Sequence, residues 1–241
     1  MIEIRELNKH YNRNHVLKDI SLDIREPGIY AILGPNGSGK TTLLKSIIGL
    51  VIPDNGSINV CGTKVSDTHL YRKEVSYLPQ IARFPDNLRV FELIKLIKEI
   101  RNTEADESDL LKLFHLEPEL KKRLRNLSGG TRQKVNMVLG FLFDTPLVIL
   151  DEPTVSLDPV ALGKFKKIIS DKKQQGKIIL YTTHIMSLVE EFSDKIILLL
   201  DGKIIFKGGL KEILDESGEK SLENAISQLV ETNGQKGSIR G

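Results

Sequence analysis

An apolar run that leads into a glycine-rich loop and then into a helical pattern constrains the fold more than any other feature of this sequence. Residues 29–33 are apolar, residues 34–41 read GPNGSGKT, and residues 41–50 have the spacing of a helix. The loop matches the pattern G-x-x-x-x-G-K-[ST], which binds phosphates when a strand precedes it and a helix follows it. The sequence therefore predicts a phosphate-binding loop at the end of a buried strand.

The residue types in this loop suit a nucleoside triphosphate. Glycines let successive backbone N–H groups turn inward around phosphate oxygens, and the helix N-terminus adds a partial positive charge. The Lys40 ammonium reaches the outer phosphates, and the Thr41 hydroxyl is placed to bind Mg²⁺. The predicted nucleotide-binding residues of this segment are Gly34, Pro35, Asn36, Gly37, Ser38, Gly39, Lys40, Thr41 and Thr42.

Two kinds of apolar pattern indicate two sheets. Near the N-terminus, apolar and polar residues alternate at Ile2 and Ile4 and again at Ile20, Leu22 and Ile24. Strands that bury one face only, as in an antiparallel sheet, have this period. Later runs are almost continuously apolar, which is typical of parallel strands covered by helices on both faces. These runs are residues 29–33, 75–78, 147–150, 178–181 and 196–200.

The predicted fold class is therefore α/β, a P-loop NTPase core with a mostly parallel sheet and an N-terminal antiparallel β-subdomain. A helical subdomain is inserted at about residues 82–135, which are rich in Lys, Glu and Leu. A hairpin turn is indicated at Asp201-Gly202. We expect one nucleotide-binding domain over residues 1–214.

A polar C-terminal tail is predicted over residues 215–241. Leu222, Ile226 and Leu229 have the spacing to line one face of a short helix. The composition of residues 233–241 predicts disorder.

Composition excludes several functional classes. The 241 residues carry a formal net charge of +3 with 28% charged residues, a near balance that gives no electrostatic case for nucleic acid as a partner. Cys61 is the only cysteine, which excludes an intramolecular disulfide and a zinc cluster of cysteines. No apolar run approaches the roughly 20 residues that span a bilayer, and no signal-peptide pattern is found. We expect a cytoplasmic protein that attaches to a membrane only through a partner.

Polar residues follow several of the predicted strands, at the sheet edge where ligands bind in α/β folds. Asp151 is suited to hold Mg²⁺, and Glu152 to orient and deprotonate the water that attacks the γ-phosphate. Gln80 can touch that water or the metal shell, and His184 can donate a hydrogen bond to a γ-phosphate oxygen. The predicted metal ligands are Thr41, Gln80 and Asp151. An exposed acidic loop is the alternative interpretation of the carboxylate pair taken alone.

The segment Ser128-Gly129-Gly130-Thr131 precedes a helical pattern. Ser128 has an ordinary alternative interpretation as the N-cap of that helix. A glycine-rich helix start with free N–H groups is also an anion site. Because this segment belongs to the helical subdomain, away from the phosphate loop, we predict that Ser128, Gly129 and Gly130 bind a nucleotide held by a second molecule.

In this order, the elements resemble those of ATP-binding-cassette (ABC) ATPases over about residues 1–210. The resemblance identifies the Walker A loop at 34–41, the Q-loop at Gln80, the signature at 127–130, Walker B at 147–152, the D-loop at 156–158 and the switch histidine at His184. Tyr11 stands where such proteins stack an aromatic ring on adenine. Two positions depart from the pattern, because Thr131 replaces a common Gln and Val155 a usually small residue.

The resemblance implies binding and hydrolysis of ATP with Mg²⁺ in a head-to-tail dimer of two copies, or of this chain and a paralogue. Each ATP would lie between one Walker A loop and the partner's signature, and opening of the dimer would drive a separate transmembrane permease subunit. An exporter on the cytoplasmic face of the plasma membrane is implied. Residues 81–85, with Phe84, are a candidate docking surface for the permease. Residues 142–166 and 183–191 also resemble ATPases of copper-processing exporters linked to nitrous oxide reductase maturation.

Other phosphate-loop proteins fit less well. A soluble ABC ATPase that acts on the ribosome or on nucleic acid is the alternative, but such chains carry two cassettes and only one set of motifs is present. Chromosome-associated members separate Walker A from Walker B by hundreds of residues, whereas Lys40 and Asp151 are 111 residues apart. A GTPase would lack the signature segment and would need a base-reading motif.

Overall fold

A computed structural model describes the backbone of residues 1–238 and the side chains of residues 1–233. Ten strands lie in this range: β1 (Ile2–Tyr11), β2 (Asn14–Ile24), β3 (Gly28–Leu33), β4 (Asn55–Val60), β5 (Thr63–Lys64), β6 (Val75–Leu78), β7 (Leu147–Leu150), β8 (Ile178–Thr182), β9 (Lys195–Leu200) and β10 (Lys203–Gly208). Its eight α-helices are α1 (Lys40–Ile47), α2 (Val90–Arg101), α3 (Ser108–Phe114), α4 (Gly129–Phe141), α5 (Pro159–Gln174), α6 (Met186–Phe192), α7 (Leu210–Ser217) and α8 (Leu222–Ser238). Each of these helices is too short or too polar to cross a bilayer.

The strands form two sheets. One is antiparallel with the order β2-β1-β4-β5, and the other has six strands in the order β10-β9-β3-β8-β7-β6. In the larger sheet, neighbouring strands pair in parallel except at the edge, where β10 runs antiparallel to β9 after the predicted turn at Asp201-Gly202. The predicted α/β class, with an antiparallel N-terminal sheet and a mostly parallel central sheet, is confirmed.

The strand β3 shows why the central runs are apolar at every position. Successive side chains of a strand point to opposite faces of its sheet. Ile29, Ala31 and Leu33 belong to a core cluster that includes residues of helices α2 to α8. Tyr30 and Ile32 belong to a second cluster, formed with α1 and the antiparallel sheet. Because both faces are covered, every residue of β3 is buried.

The helix α4 joins the helical region to the central sheet. Between β6 and β7 the chain forms α2, α3 and α4 together with short 3-10 helices at Glu117–Glu119 and Leu124–Asn126. The helix α4 continues beyond residue 135, the predicted end of the helical subdomain, to Phe141. It packs on β6 so closely that a Cβ at Gly140 would lie 2.9 Å from Cδ1 of Leu78. A glycine allows this close contact between helix and strand.

The C-terminal tail is helical over a longer range than predicted. Leu222 and Ala225 are completely buried in the same core cluster as the central sheet, and Leu229 is nearly so. This burial anchors α8, whose backbone continues to Ser238. The helix therefore extends into the range 233–241, for which composition predicts disorder, and residues 239–241 lie outside the described residues. Local composition alone did not reveal the packing of the helix on the core.

Replacement of Leu222 by alanine tests whether α8 is part of the fold. Leu222→Ala should lower the free energy of unfolding by about 2–5 kcal/mol, because it leaves a cavity in the core. The control Gln228→Ala, at an exposed position of the same helix, should change it by less than about 0.5 kcal/mol. Urea denaturation of both variants measures the difference, and equal stabilities would show that α8 does not pack on the core.

Candidate active site

The phosphate loop connects β3 to α1 and has a shape that only glycine permits at two positions. Gly34 has φ of +146°, and a Cβ there would lie 2.0 Å from the carbonyl oxygen of Leu199. Gly39 has φ of +106°, and its Cβ would lie 2.9 Å from the carbonyl oxygen of Val16. These contacts place the loop directly against β9 and β2. The glycines of the motif are thus required by packing as well as by backbone conformation.

The turn between β9 and β10 supports the phosphate loop through backbone hydrogen bonds. The backbone N–H of Gly202 donates to the carbonyl oxygen of Ser38 at 3.1 Å, and the carbonyl oxygen of Gly202 accepts from the N–H of Lys18 at 2.8 Å. Gly202 has φ of +80°, and a Cβ there would lie 2.5 Å from the carbonyl oxygen of Val16. Two hydrogen bonds and a close contact therefore connect the turn to the phosphate loop and to β2.

Lys40 lies folded across the loop that precedes it. Its Nζ donates to the carbonyl oxygens of Gly34 at 2.7 Å and Pro35 at 3.0 Å. Burial lowers the pKa of Lys40, whereas the negative charges of Glu152 and Asp151 raise it. The ammonium is thus largely removed from water and held between backbone acceptors and two carboxylates. A polyanion that entered the site would meet a cation with little hydration to lose.

Asp151 lies at the end of β7, where two hydroxyl groups orient it. The Thr182 hydroxyl donates to Oδ1 of Asp151 at 2.8 Å, and the Thr41 hydroxyl lies 3.3 Å from the same oxygen. The Thr182 hydroxyl also accepts the backbone N–H of Glu152 at 2.8 Å. Thr182 is completely buried, and its role was not predicted from the sequence. The polar residue after the apolar run of β8, two positions before His184, is the signal that could have indicated it.

Glu152 is a buried carboxylate with a strained backbone and few partners. Its φ of 48° lies in the left-handed region, which is uncommon for a residue other than glycine. Nε2 of His184 lies 2.8 Å from Oε1 of Glu152, and this contact is an ion pair when the imidazole is protonated. Oε1 accepts no hydrogen bond from the residues that the structure describes. Burial raises the pKa of Glu152 and Asp151 adds to this effect, whereas His184 and Lys40 oppose it. Raised pKa values and backbone strain both concentrate at functional sites.

These groups surround one cleft of about 300 Å³. Its lining residues are Tyr11, Asn14, Val16, Asn36, Gly37, Ser38, Gly39, Lys40, Thr41, Thr42, Gln80, Asp151, Glu152 and His184. Asn14 and Val16 were not predicted to line it. Gly34 and Pro35, which were predicted, do not line the cleft, but their carbonyl oxygens hold the Lys40 ammonium. The ring of Tyr11 is 46% exposed at the rim, so one aromatic face is free to stack on a ligand.

The segment Ser128–Gly130 is not part of this cleft. The Ser128 side chain caps α4, because its Oγ accepts the backbone N–H of Thr131 at 3.2 Å. Gly129 is exposed, and a Cβ there would meet no atom within 4 Å. The N-terminus of a 13-residue helix thus faces solvent, where its N–H groups can receive an anion.

Two buried side chains of α4 connect this helix to the cleft. Nε2 of Gln133 donates to the carbonyl oxygen of Pro153 at 2.9 Å. Nδ2 of Asn136 donates to the carbonyl oxygen of Pro79 at 3.1 Å. Pro153 follows Glu152 and Pro79 precedes Gln80, so α4 holds the backbone beside both residues. These roles could not be predicted from the sequence, because buried amides in a helix give no distinct pattern.

The cleft fits Mg²⁺ only if phosphate oxygens share the ion. Mg²⁺ is bound in proteins by one or two carboxylates together with substrate phosphates and water. Asp151 and Thr41 supply oxygen atoms of this kind next to the loop. The described residues form no cluster of three or more carboxylate, histidine or cysteine side chains that could hold a metal ion alone. The Ser38 hydroxyl is buried in the loop without a partner among those residues, as expected of a group that serves a ligand.

Neutralisation of Glu152 should stabilise the nucleotide-free protein. Because burial raises its pKa in the folded chain, ionisation of Glu152 costs stability at every pH above its unfolded pKa, about 4.3. We expect Glu152→Gln to raise the midpoint of thermal unfolding at pH 7.5, and the gain to disappear as the pH falls toward that unfolded value.

Asp158 provides the contrasting control. Lys134 and the backbone N–H of Ala161 lower the pKa of Asp158, so its ionised form stabilises the fold at neutral pH. Asp158→Asn should therefore lower the midpoint under the same conditions. Calorimetry of both variants checks the signs, and a lower midpoint for Glu152→Gln would contradict the electrostatic interpretation of Glu152.

Comparison with known proteins agrees with this geometry. The family model described as ABC transporter matches residues 17–155, more than half of the chain. The ABC-type transporter ATP-binding protein EcsA of Bacillus subtilis (strain 168) is 32% identical over 91% of this chain and 92% of its own length. Nod factor export ATP-binding protein I of Rhizobium etli is 30% identical over 89% of this chain and 70% of its own length.

Solved structures show the same relationship. An ATP-binding subunit of an ABC transporter superposes with a TM-score of 0.90 and 31% identity, covering 95% of this chain and 99% of that one. A dimeric ATP-binding cassette in a post-hydrolysis state, bound to ADP and phosphate, gives a TM-score of 0.79 with 25% identity over 87% of this chain and 99% of its own. With the phosphate loop, the paired carboxylates and His184 in one cleft, this chain belongs to the ABC transporter family as an ATP-binding, ATP-hydrolysing subunit.

Proposed function

We propose that the cleft binds ATP as a complex with Mg²⁺, with the triphosphate in the loop of residues 34–41 and the adenine against Tyr11. The backbone N–H groups at the start of α1 and the Lys40 ammonium supply positive charge to the phosphates. Thr41 and Asp151 would hold Mg²⁺, with Gln80 at the edge of its shell. When bound, Mg²⁺ would neutralise charge on the phosphate oxygens.

We assign the chemical step to Glu152, His184 and Gln80. Glu152 accepts a proton from water as that water attacks the γ-phosphorus, and the bond to the ADP oxygen breaks, which gives ADP and phosphate. Its raised pKa suits a base that works near neutral pH. His184, already 2.8 Å from Glu152, can donate to a γ-phosphate oxygen, and Gln80 lines the same cleft. The observation that carries the proposal is the convergence of Lys40, Asp151, Glu152 and His184 on one cleft.

We further propose that two copies, or this chain and a paralogue, assemble head to tail. The support is that Ser128 and Gly129 lie exposed at the N-terminus of α4, outside the cleft of their own chain. In a head-to-tail pair, this helix end would contact the γ-phosphate held by the partner. The dimeric form of a related cassette is consistent with this arrangement. ATP would then join the two subunits, and hydrolysis would release them.

The proposed assembly drives transport through a separate membrane-spanning subunit, with this chain on the cytoplasmic face of the plasma membrane. The names of the relatives EcsA and Nod factor export ATP-binding protein I support a transporter, and the latter supports export. Phe84 and Ile81 line a cavity of about 240 Å³ beside Gln80. This cavity is the proposed docking site for the membrane subunit. We propose no nucleic-acid partner for this chain.

The variant Glu152→Gln tests the assigned chemistry. We expect ATP to bind normally and the subunits to remain paired, while the hydrolysis rate falls by roughly 10²–10⁴-fold, because the base for the attacking water is lost. Steady-state phosphate release and light scattering after size-exclusion chromatography with Mg-ATP measure the two effects. Normal turnover in this variant would remove Glu152 from the role of base.

The dimer is tested with Ser128 and Gly129 replaced in the Glu152→Gln background. The substitutions Ser128→Arg and Gly129→Glu should abolish the ATP-dependent dimer and leave nucleotide binding to the monomer intact. The corresponding change in an otherwise unaltered chain should remove hydrolysis. A strictly monomeric chain with full activity after these substitutions would contradict the head-to-tail arrangement.

Phe84→Ala tests the docking cavity. We expect basal ATP hydrolysis to be kept, because Phe84 does not line the nucleotide cleft. Stimulation by the co-expressed membrane subunit should fall, because the cavity loses an aromatic wall. Ile52→Ala, at a residue that is 80% exposed on another surface loop, is the control. Full assembly and full stimulation with Phe84→Ala would remove this cavity from the interface.

A further inference from the structure

Two short chain segments beside the cavity pair with each other and carry arginines on their outer side. The backbone N–H of Leu124 donates to the carbonyl oxygen of Leu88 at 2.9 Å, and the N–H of Arg125 donates to that of Asp86 at 3.2 Å. Arg89 and Arg123 form an antiparallel bridge. We call residues 86–90 and 122–125 the arginine ribbon.

The ribbon places like charges opposite each other. Leu124 is buried and Leu88 is partly buried, whereas Arg89, Arg123 and Arg125 are exposed. Arg89 and Arg123 lie opposite each other in the bridge and both face solvent. Arg125 is exposed in the 3-10 helix that follows. Like charges directly opposite on paired strands are destabilising. The repulsion between Arg89 and Arg123 therefore lowers the stability of the free subunit.

Nearby carboxylates do not neutralise these arginines. Glu92 accepts the backbone N–H of Arg89 at 2.8 Å rather than its guanidinium. Asp86 pairs with Arg132 at 3.2 Å, and Glu119 pairs with Lys122 at 2.8 Å. Within the described residues, the guanidinium groups of Arg89, Arg123 and Arg125 form no ion pair. The ribbon thus presents three uncompensated cations to an external partner.

The ribbon is continuous with a mostly apolar cavity, whose lining also includes the ion pair of Asp86 with Arg132. Leu124 lines this cavity together with Ile81, Phe84 and Val135. The Ile81 side chain is 69% exposed, so the mouth of the cavity is apolar as well. Cations next to an apolar recess fit a segment that carries carboxylates beside an apolar side chain. A lipid surface with phosphate groups would bind the arginines but would place no side chain in the cavity.

We propose that the arginine ribbon binds carboxylates on a cytoplasmic segment of the membrane-spanning partner, whose apolar side chain enters the cavity at Phe84. This inference rests on the proposed function, because that function supplies the partner. It adds the chemistry of recognition: the partner segment is acidic at the ribbon and apolar at the cavity. The arginines remain unpaired in the free subunit because their carboxylates belong to another chain.

The test is co-expression of the Arg123→Glu variant with the membrane-spanning partner, followed by purification of the variant and measurement of the partner recovered with it. A carboxylate opposite Arg89 removes the like-charge repulsion, so thermal stability should be unchanged or higher and basal ATP hydrolysis unchanged. Recovery of the membrane protein should fall roughly tenfold or more, because like charges would face each other across the interface. Lys203→Glu, an exposed position on β10, is the control and should recover it fully. Lysines in place of the partner's carboxylates should restore recovery with Arg123→Glu.

The outcomes separate this inference from the function on which it depends. If the unaltered chain recovers no membrane protein, both proposals are overturned. If the unaltered chain and Arg123→Glu recover it equally, the ribbon proposal alone is overturned. If Arg123→Glu no longer sediments with phosphatidylglycerol vesicles but still recovers the membrane protein fully, the ribbon binds lipid. That result would also overturn the proposal.

Discussion

Parallel pairing of β6, β7, β8 and β3 in a fixed register is the constraint on which the site depends. Leu78 pairs with Leu150, Leu150 with Tyr181, and Ile32 with Thr182. The strands therefore end together, and the segments that follow them emerge at one edge. A one-residue slip would turn alternate side chains to the opposite face, so the buried apolar residues on both faces also fix the geometry of the cleft.

The same edge concentrates features that oppose stability. Glu152 combines a left-handed backbone, a buried carboxylate and a nearby Asp151. Lys40 is buried too, and its hydrogen bonds go to the backbone carbonyls of Gly34 and Pro35. The apolar clusters on either side of the sheet offset this cost. Function is thus supported by a core whose own sequence carries no information about the reaction.

Sequence alone predicted the class of the fold and the positions of the residues at the sheet edge. Lys40 and Thr41 belong to a local motif, and His184 and Asp151 follow apolar runs, so strand order was not needed to identify them. Their roles in hydrolysis remain predictions.

Thr182, Gln133 and the helix α8 were different. Their importance depends on contacts between segments far apart in the chain: Thr182 with Asp151, Gln133 with Pro153, and Leu222 with the central core. Residues in such contacts have no characteristic spacing, and the polar composition around α8 favoured disorder. A pattern within one segment cannot encode the surface on which that segment packs.

The support of the phosphate loop by Gly202 has a practical consequence. The turn at Asp201-Gly202 resembles a surface hairpin, the kind of place where a fluorescent tag or an epitope is usually inserted. Yet Gly202 is buried, and its N–H and carbonyl groups bind Ser38 and Lys18. An insertion here would remove this support from the phosphate loop, so fusion partners belong at other turns, such as the one at the exposed Gly62.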